Sequence, residues 1–162
     1  MHMGRAAMLL TAICGAVTSV SAPAAAQTRQ QSTVLNSESE SGRAFQDEYG
    51  YSSAVVTPDG TVYMSGVVAG LGPDGDITAA YERTYAYIGE TLKRAGASWD
   101  DVVEITTFHT DLTSQLKPIS EVQKRYIKPP YAAWTAIQVA RLVPDRGITE
   151  IKIIAKLPRS ER

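Results

Sequence analysis

The chain has 162 residues and a mass of 17.5 kDa, the size of one domain with at most a tail. Apolar residues make up 44% and charged residues 20%, which excludes a disordered chain. A formal charge of −1 and a pI of about 6.1 exclude a strongly basic nucleic-acid binder, though not a local basic patch.

Residues 1–26 carry one Lys, Arg, Asp or Glu, which is Arg5. An apolar run over residues 6–20 follows, then Ser21-Ala-Pro-Ala-Ala-Ala26. A basic start, a short apolar centre and small residues ending in Ala-x-Ala form the pattern of a secretory signal. The run is shorter than the ~20 apolar residues of a spanning helix. The expectation is cleavage after Ala26, a periplasmic or secreted protein, and no stable membrane association afterwards. Residues 27–162 then hold 15 basic and 17 acidic residues, a formal charge of −2. Cys14 leaves with the signal, and His109 is the one histidine that stays. Disulfides, a thiolate nucleophile and Cys- or His-rich metal sites are thereby excluded.

Residues 27–48 are mostly polar, with Thr33-Val-Leu35 as a possible short first strand and Ser37–Gly42 as an exposed loop. The domain proper is placed at 49–158, with 159–162 as a tail. Residues 51–56 and 61–65 read as two antiparallel strands around Thr57-Pro-Asp-Gly60, a hairpin turn by its Pro, Asp and Gly. The glycine-rich stretch 66–75 reads as a loop. Residues 78–95 give the clearest helix, with Tyr81, Tyr85, Ile88 and Leu92 on one face and Gly96 as its stop. Residues 102–110 read as a strand. A second helix is predicted over 116–127, its start set near Lys117 because Pro118 is tolerated only in a first turn. Strands at 131–140 and 149–157 complete the chain.

Strands at both ends with two helices between them predict an α+β mixed sheet with both helices on one face. The other face lacks cover, and residues 132–139 are apolar on both sides. Self-association through that open face follows from the pattern.

No phosphate-binding loop, nucleophile elbow or metal cluster stands out, and no cofactor is implied. His109 and Asp111 would share a strand face, but no nucleophile is placed beside them; the plain reading of His109 is a packed or hydrogen-bonded strand residue. Glu150 lies in the last strand on one face with Lys152, while Ile151 and Ile153 take the other. It is either a solvated Glu/Lys pair or, beside a subunit partner, a carboxylate that activates water. Trp134, between alanines, is either an anchor or the wall of a small-molecule pocket.

Five segments together resemble the RidA (YjgF) family: Val62-Tyr-Met-Ser-Gly66, Ala95-Gly-Ala-Ser-Trp-Asp-Asp-Val-Val103, Thr106-Thr-Phe-His-Thr-Asp-Leu112, Ile137-Gln-Val-Ala-Arg-Leu142 and Glu150-Ile-Lys-Ile-Ile-Ala155. The resemblance runs from about Tyr51 to Pro158. It implies a chorismate-mutase-like fold, a homotrimer, and ligand clefts between subunits. Deaminating members hydrolyse imine or enamine acids to 2-keto acids and ammonia. By resemblance Glu150 is the catalytic carboxylate. Tyr51, Ser65, Gly66, Val67, His109, Trp134, Thr135 and Ala136 are the candidate substrate-binding residues, with the Ala136 carbonyl placed to hold water. Trp134 stands where the family has an Arg for the substrate carboxylate, and Val67 where Gln is common, as in an Arg-less subgroup. Two functions stay open: hydrolysis of an imine- or enamine-like small molecule, and a non-catalytic metabolite-binding or chaperone-like trimer. The negative charge offers an RNA partner little counter-ion release.

Overall fold

The computed structural model describes residues 29–158, so the expected signal and its cleavage site lie outside the described residues. After a 3₁₀ turn at Arg29–Gln31 come β1 (Thr33–Leu35), α1 (Glu40–Tyr49), β2 (Ala54–Val56), β3 (Thr61–Met64), β4 (Val67–Gly70) and α2 (Ile77–Arg94). A second 3₁₀ turn at Trp99–Asp101 leads to β5 (Val102–His109), α3 (Leu112–Tyr126), β6 (Ala133–Gln138) and β7 (Gly147–Lys156). One seven-stranded mixed sheet runs in the order β1-β2-β3-β7-β5-β6, with β4 also paired to β7. Among the described strands only β5 and β6 are parallel, joined through α3. This is the α+β sheet read from the sequence.

β7 organises the molecule because its pleat sorts its residues cleanly. Thr149, Ile151, Ile153 and Ala155 are buried, while Glu150, Lys152, Ile154 and Lys156 point the other way and stay partly or fully exposed. The buried set packs against Tyr81, Tyr85, Ile88 and Leu92 of α2 and Ile119 and Val122 of α3. Each such side chain contributes about 1.5–3 kcal/mol. Asp76 caps α2 by accepting from the Thr78 and Ala79 amides at 2.8 and 3.1 Å. Gly96, at φ 80°, turns the chain out of it.

Three expectations are corrected. The polar stretch before residue 49 is not all loop: α1 runs from Glu40, capped by Ser39 and closed by Gly50 at φ 68°. Its apolar face is thin, which hid it. Buried Gln46 ties it down instead, donating to Ser53 Oγ and accepting from the Ser37 amide, both at 2.8 Å. The glycine-rich stretch after Gly66 begins with a strand, β4, because Val67–Gly70 pairs with β7. Finally, α3 starts at Leu112 with Pro118 inside it. Asp111 caps it, accepting from Ser114 Oγ at 2.6 Å and from the Ser114 amide at 3.4 Å. A proline within a helix costs about 3 kcal/mol, and burial of Ile119 and Val122 on the same helix offsets it.

Candidate functional site

β3 and β4 lie end to end along one edge of β7, and the break between them builds a cleft. Tyr63 pairs with Ile154 and Val67 with Ile151, so three residues on one side, Met64, Ser65 and Gly66, span two on the other. The extra residue leaves Met64–Gly66 out of the ladder with β7, as in a bulge. Ser65 is fixed there by two bonds to the preceding loop: its amide donates to the Ser53 carbonyl at 3.0 Å and its hydroxyl to the Ser52 carbonyl at 2.6 Å.

Gly66 leaves room that Glu150 fills. A Cβ at Gly66 would lie 1.7 Å from Glu150 Oε1, with Glu150 Cδ and Cγ within 2.7 Å, so the carboxylate rests directly on the glycine. Glu150 is held from both sides, opposite Val68 in β4 and Phe108 in β5. Tyr51, just past α1, lines the same cavity as Glu150, its amide bonded to the Gln46 carbonyl at 3.1 Å. Its ring meets Phe45 edge-on at 6.2 Å. Burial first, and the neighbouring Tyr87 second, raise the Tyr51 phenol above its ordinary pKa, so it stays protonated and can donate at neutral pH. Tyr51, Ser65, Gly66, Val67 and Glu150 line one open cavity of about 720 Å³. A carboxylate that accepts a proton, a phenol that donates one and a shaped void are the parts that addition of water to a polarised double bond requires.

The other predicted residues lie elsewhere in the chain. Trp134 and Ala136 share the helix-covered side of β6, in register with Ile105 and Thr107, and Thr135 faces the opposite side and is exposed. Trp134 Nε1 donates to Thr107 Oγ1 at 3.0 Å, and Thr107 lies 2.9 Å from His109 Nε2. His109 Nδ1 is 3.2 Å from both Gln115 Oε1 and Thr149 Oγ1, and Thr149 is 2.8 Å from the Tyr81 hydroxyl. One donor order satisfies the chain: Trp134 to Thr107 to His109 Nε2, then His109 Nδ1–H to Gln115, and Tyr81 to Thr149 to Gln115. The Gln115 amide nitrogen completes it by donating to Thr110 Oγ1 at 3.1 Å. His109 is fully buried, and burial lowers its pKa, which keeps the ring neutral. Asp111 does not join it on a strand face; it caps α3.

Residues the sequence reading passed over complete the picture. Phe45, Tyr49 and Tyr87 join the cavity wall, as does Arg141, whose guanidinium pairs with Asp145 at 2.7 Å. The signal for the first pair was their four-residue spacing in a polar stretch; Arg141 carried none beyond its place in a family segment. Among the described residues no group of three or more His, Cys, Asp or Glu side chains could hold a metal ion, and no helix is long and apolar enough to cross a membrane.

The family described as Endoribonuclease L-PSP matches residues 41–157. The chain is similar to the RutC family protein YjgH of Escherichia coli, at 34% identity over 68% of this chain and 86% of the relative. It is also 34% identical, over 65% of this chain and 78% of the relative, to the 2-iminobutanoate/2-iminopropanoate deaminase of Capra hircus. Among solved structures, a Mycobacterium tuberculosis member of the YjgF/YER057c/UK114 family superposes with a TM-score of 0.66 at 28% identity. That match covers 78% of this chain and 99% of the other.

Proposed function

We propose a function from the premise that the chain belongs to the endoribonuclease L-PSP family, the RidA/YjgF group. Relatives named as imine deaminases, at about 34% identity, support an imine-deaminase-like role at the level of the family. For this chain the reading is a hydrolase of imine- or enamine-like small molecules. The observation that carries it is the Glu150 carboxylate resting on Gly66 in the wall of a cavity shared with Tyr51 and Ser65. Water adds to the imine carbon as Glu150 takes its proton. That proton passes to the nitrogen to give the carbinolamine; its hydroxyl proton then moves by way of Glu150 to the amine as the C–N bond breaks, leaving a carbonyl and ammonia.

The cleft is completed in this reading by a second copy. Tyr63, Val103 and Ile137 leave apolar surface exposed on the sheet, which a homotrimer would cover. Thr135, exposed on the open side of β6 and apart from Glu150 within one chain, would then join the facing wall, while the Trp134 and Ala136 side chains stay on the helix-covered side. Export to the periplasm, from the signal pattern of residues 1–26, belongs to the same proposal.

The test is ammonia release from imines generated in situ, wild type beside Glu150→Gln. The expected loss is roughly 10²–10⁴-fold, the range of a general base, with the fold intact. Equal turnover by the variant would end this mechanism. One observation favours the binding-only alternative: the single donor of Trp134 is already bonded to Thr107 and offers a substrate carboxylate nothing. That alternative predicts ligand-induced stabilisation without turnover.

A further inference from the structure

We propose that Arg141 is the anion-binding group of the Glu150 cleft, and that its ligand carries a carboxylate on an aromatic frame. This deepens the hydrolytic reading and rests on it only for turnover. Of the described residues lining the cavity, Glu150 and Arg141 alone are charged. Glu150 cannot hold an anion, and the Trp134 N–H is occupied within its own subunit, so among the described residues of this chain's cleft wall the guanidinium is the one cation.

Its attachment suits that role. Arg141 sits in the segment that leads from β6 to β7, anchored on one side by the Val139 amide bonded to the His109 carbonyl at 2.8 Å and on the other by buried Leu142. The side chain itself is 71% exposed and its partner Asp145 is 79% exposed. Such a pair contributes little to stability and exchanges readily for another carboxylate. A planar guanidinium holds a carboxylate through two parallel bonds, which fixes the orientation of the ligand as well as its charge.

The rest of the wall selects the body of the ligand. Phe45, Tyr49, Tyr51 and Tyr87 line the cavity and are each, as residues, between 41% and 61% exposed. Phe45 and Tyr49 are 4.5 Å apart between centroids, tilted by 38°. Large rings left half-exposed around one cavity gain most from a flat apolar partner. A volume of about 720 Å³ lies in the range of pockets that enclose drug-sized molecules, well above what a two- or three-carbon acid fills.

The experiment is calorimetric titration of the full chain with three probes: phenylacetate, phenylacetamide and acetate. Wild type is expected to bind phenylacetate at least tenfold tighter than either of the others. Arg141→Ala should weaken phenylacetate by roughly 10–100-fold, as loss of a two-bond charge-assisted contact implies, and leave phenylacetamide unchanged. Arg141→Lys should fall between. Equal binding of phenylacetate by wild type and Arg141→Ala would overturn the anion site. Acetate binding as tightly as phenylacetate, or no phenylacetate binding at all, would overturn the aromatic one. The same titration on Glu150→Gln keeps the two proposals separable: retained phenylacetate binding beside a wild type without turnover sinks hydrolysis and leaves Arg141 in place.

Discussion

Thr149 and Glu150 are neighbours in β7, yet they belong to two polar regions built on opposite terms. Thr149 faces the helices and joins a closed set in which Trp134, Thr107, His109, Gln115 and Tyr81 satisfy one another. Among the described residues no buried side-chain nitrogen or oxygen lacks a partner. Glu150 faces the other way, onto a glycine and an open cavity. The difference is one step of the pleat. A closed polar cluster at this depth specifies packing, because each of its groups would cost about 1–3 kcal/mol if left alone. A carboxylate on an open wall keeps its lone pairs for something that arrives. The same strand thus carries a closed polar cluster on one side and, in the proposed function, the reacting carboxylate on the other.

Gly66→Ala would break the open region with the largest effect. Every atom nearest the added methyl belongs to the Glu150 side chain. Gly66 does not have positive φ, so the backbone accepts alanine and the carboxylate must move instead. Turnover should fall about 10²-fold, as displacement of a reacting group by an ångström does, while the thermal midpoint changes little. Wild-type turnover in a folded Gly66→Ala protein would show that the position of Glu150 does not matter.

Thr149→Val sharpens the comparison from the closed side. Valine keeps the volume but removes the acceptor of the Tyr81 hydroxyl, whose burial already pushes its pKa up to about 12. The expected loss of stability is about 1–3 kcal/mol for the orphaned hydroxyl, read from urea midpoints at fixed protein concentration. Turnover per folded molecule should stay within about twofold, since no atom changes on the cleft side of β7. A variant that unfolds like wild type but loses activity would mean the two regions are coupled.

How much of this was legible in the sequence follows the same divide. The α2 face and the alternation of Glu150 with Ile151 are local periodicities, and both were readable from the residues alone. The hidden features depend on contacts distant in sequence. α1 is held by a buried glutamine rather than an apolar stripe, which no hydrophobic pattern reports. β4 exists because a partner strand is available to glycine-rich chain. α3 starts at Leu112, more than a turn before Pro118 rather than beside it, because a cap and two buried side chains outweigh one proline. In the site, Glu150, Tyr51 and the Ser65-Gly66 pair came from resemblance, and their common cavity from the fold. Arg141 was invisible, since an arginine between an alanine and a leucine has no pattern to mark it.

The smallest effect is a pH dependence that separates the regions without touching the cleft. The partners of the His109 ring, Thr107, Gln115 and Thr149, are neutral, and burial holds its pKa below the ordinary value of 6.5. Above about 6.5 the ring is neutral in both folded and unfolded chains, and stability is level. Below it the unfolded chain takes up a proton that the native protein refuses, so stability falls as the pH drops toward the folded value. Asp59 and Asp111 are also held below their ordinary 3.8, and their contribution is lost only in more acid solution. The interval from about pH 6.5 to 5 therefore isolates histidine. His2 is the only other histidine in the chain, and it is common to wild type and His109→Gln. Urea midpoints should decline across that interval in wild type and flatten in the variant. An equal decline in both would place the titrating group outside the closed cluster and remove the argument that His109 is there to be neutral.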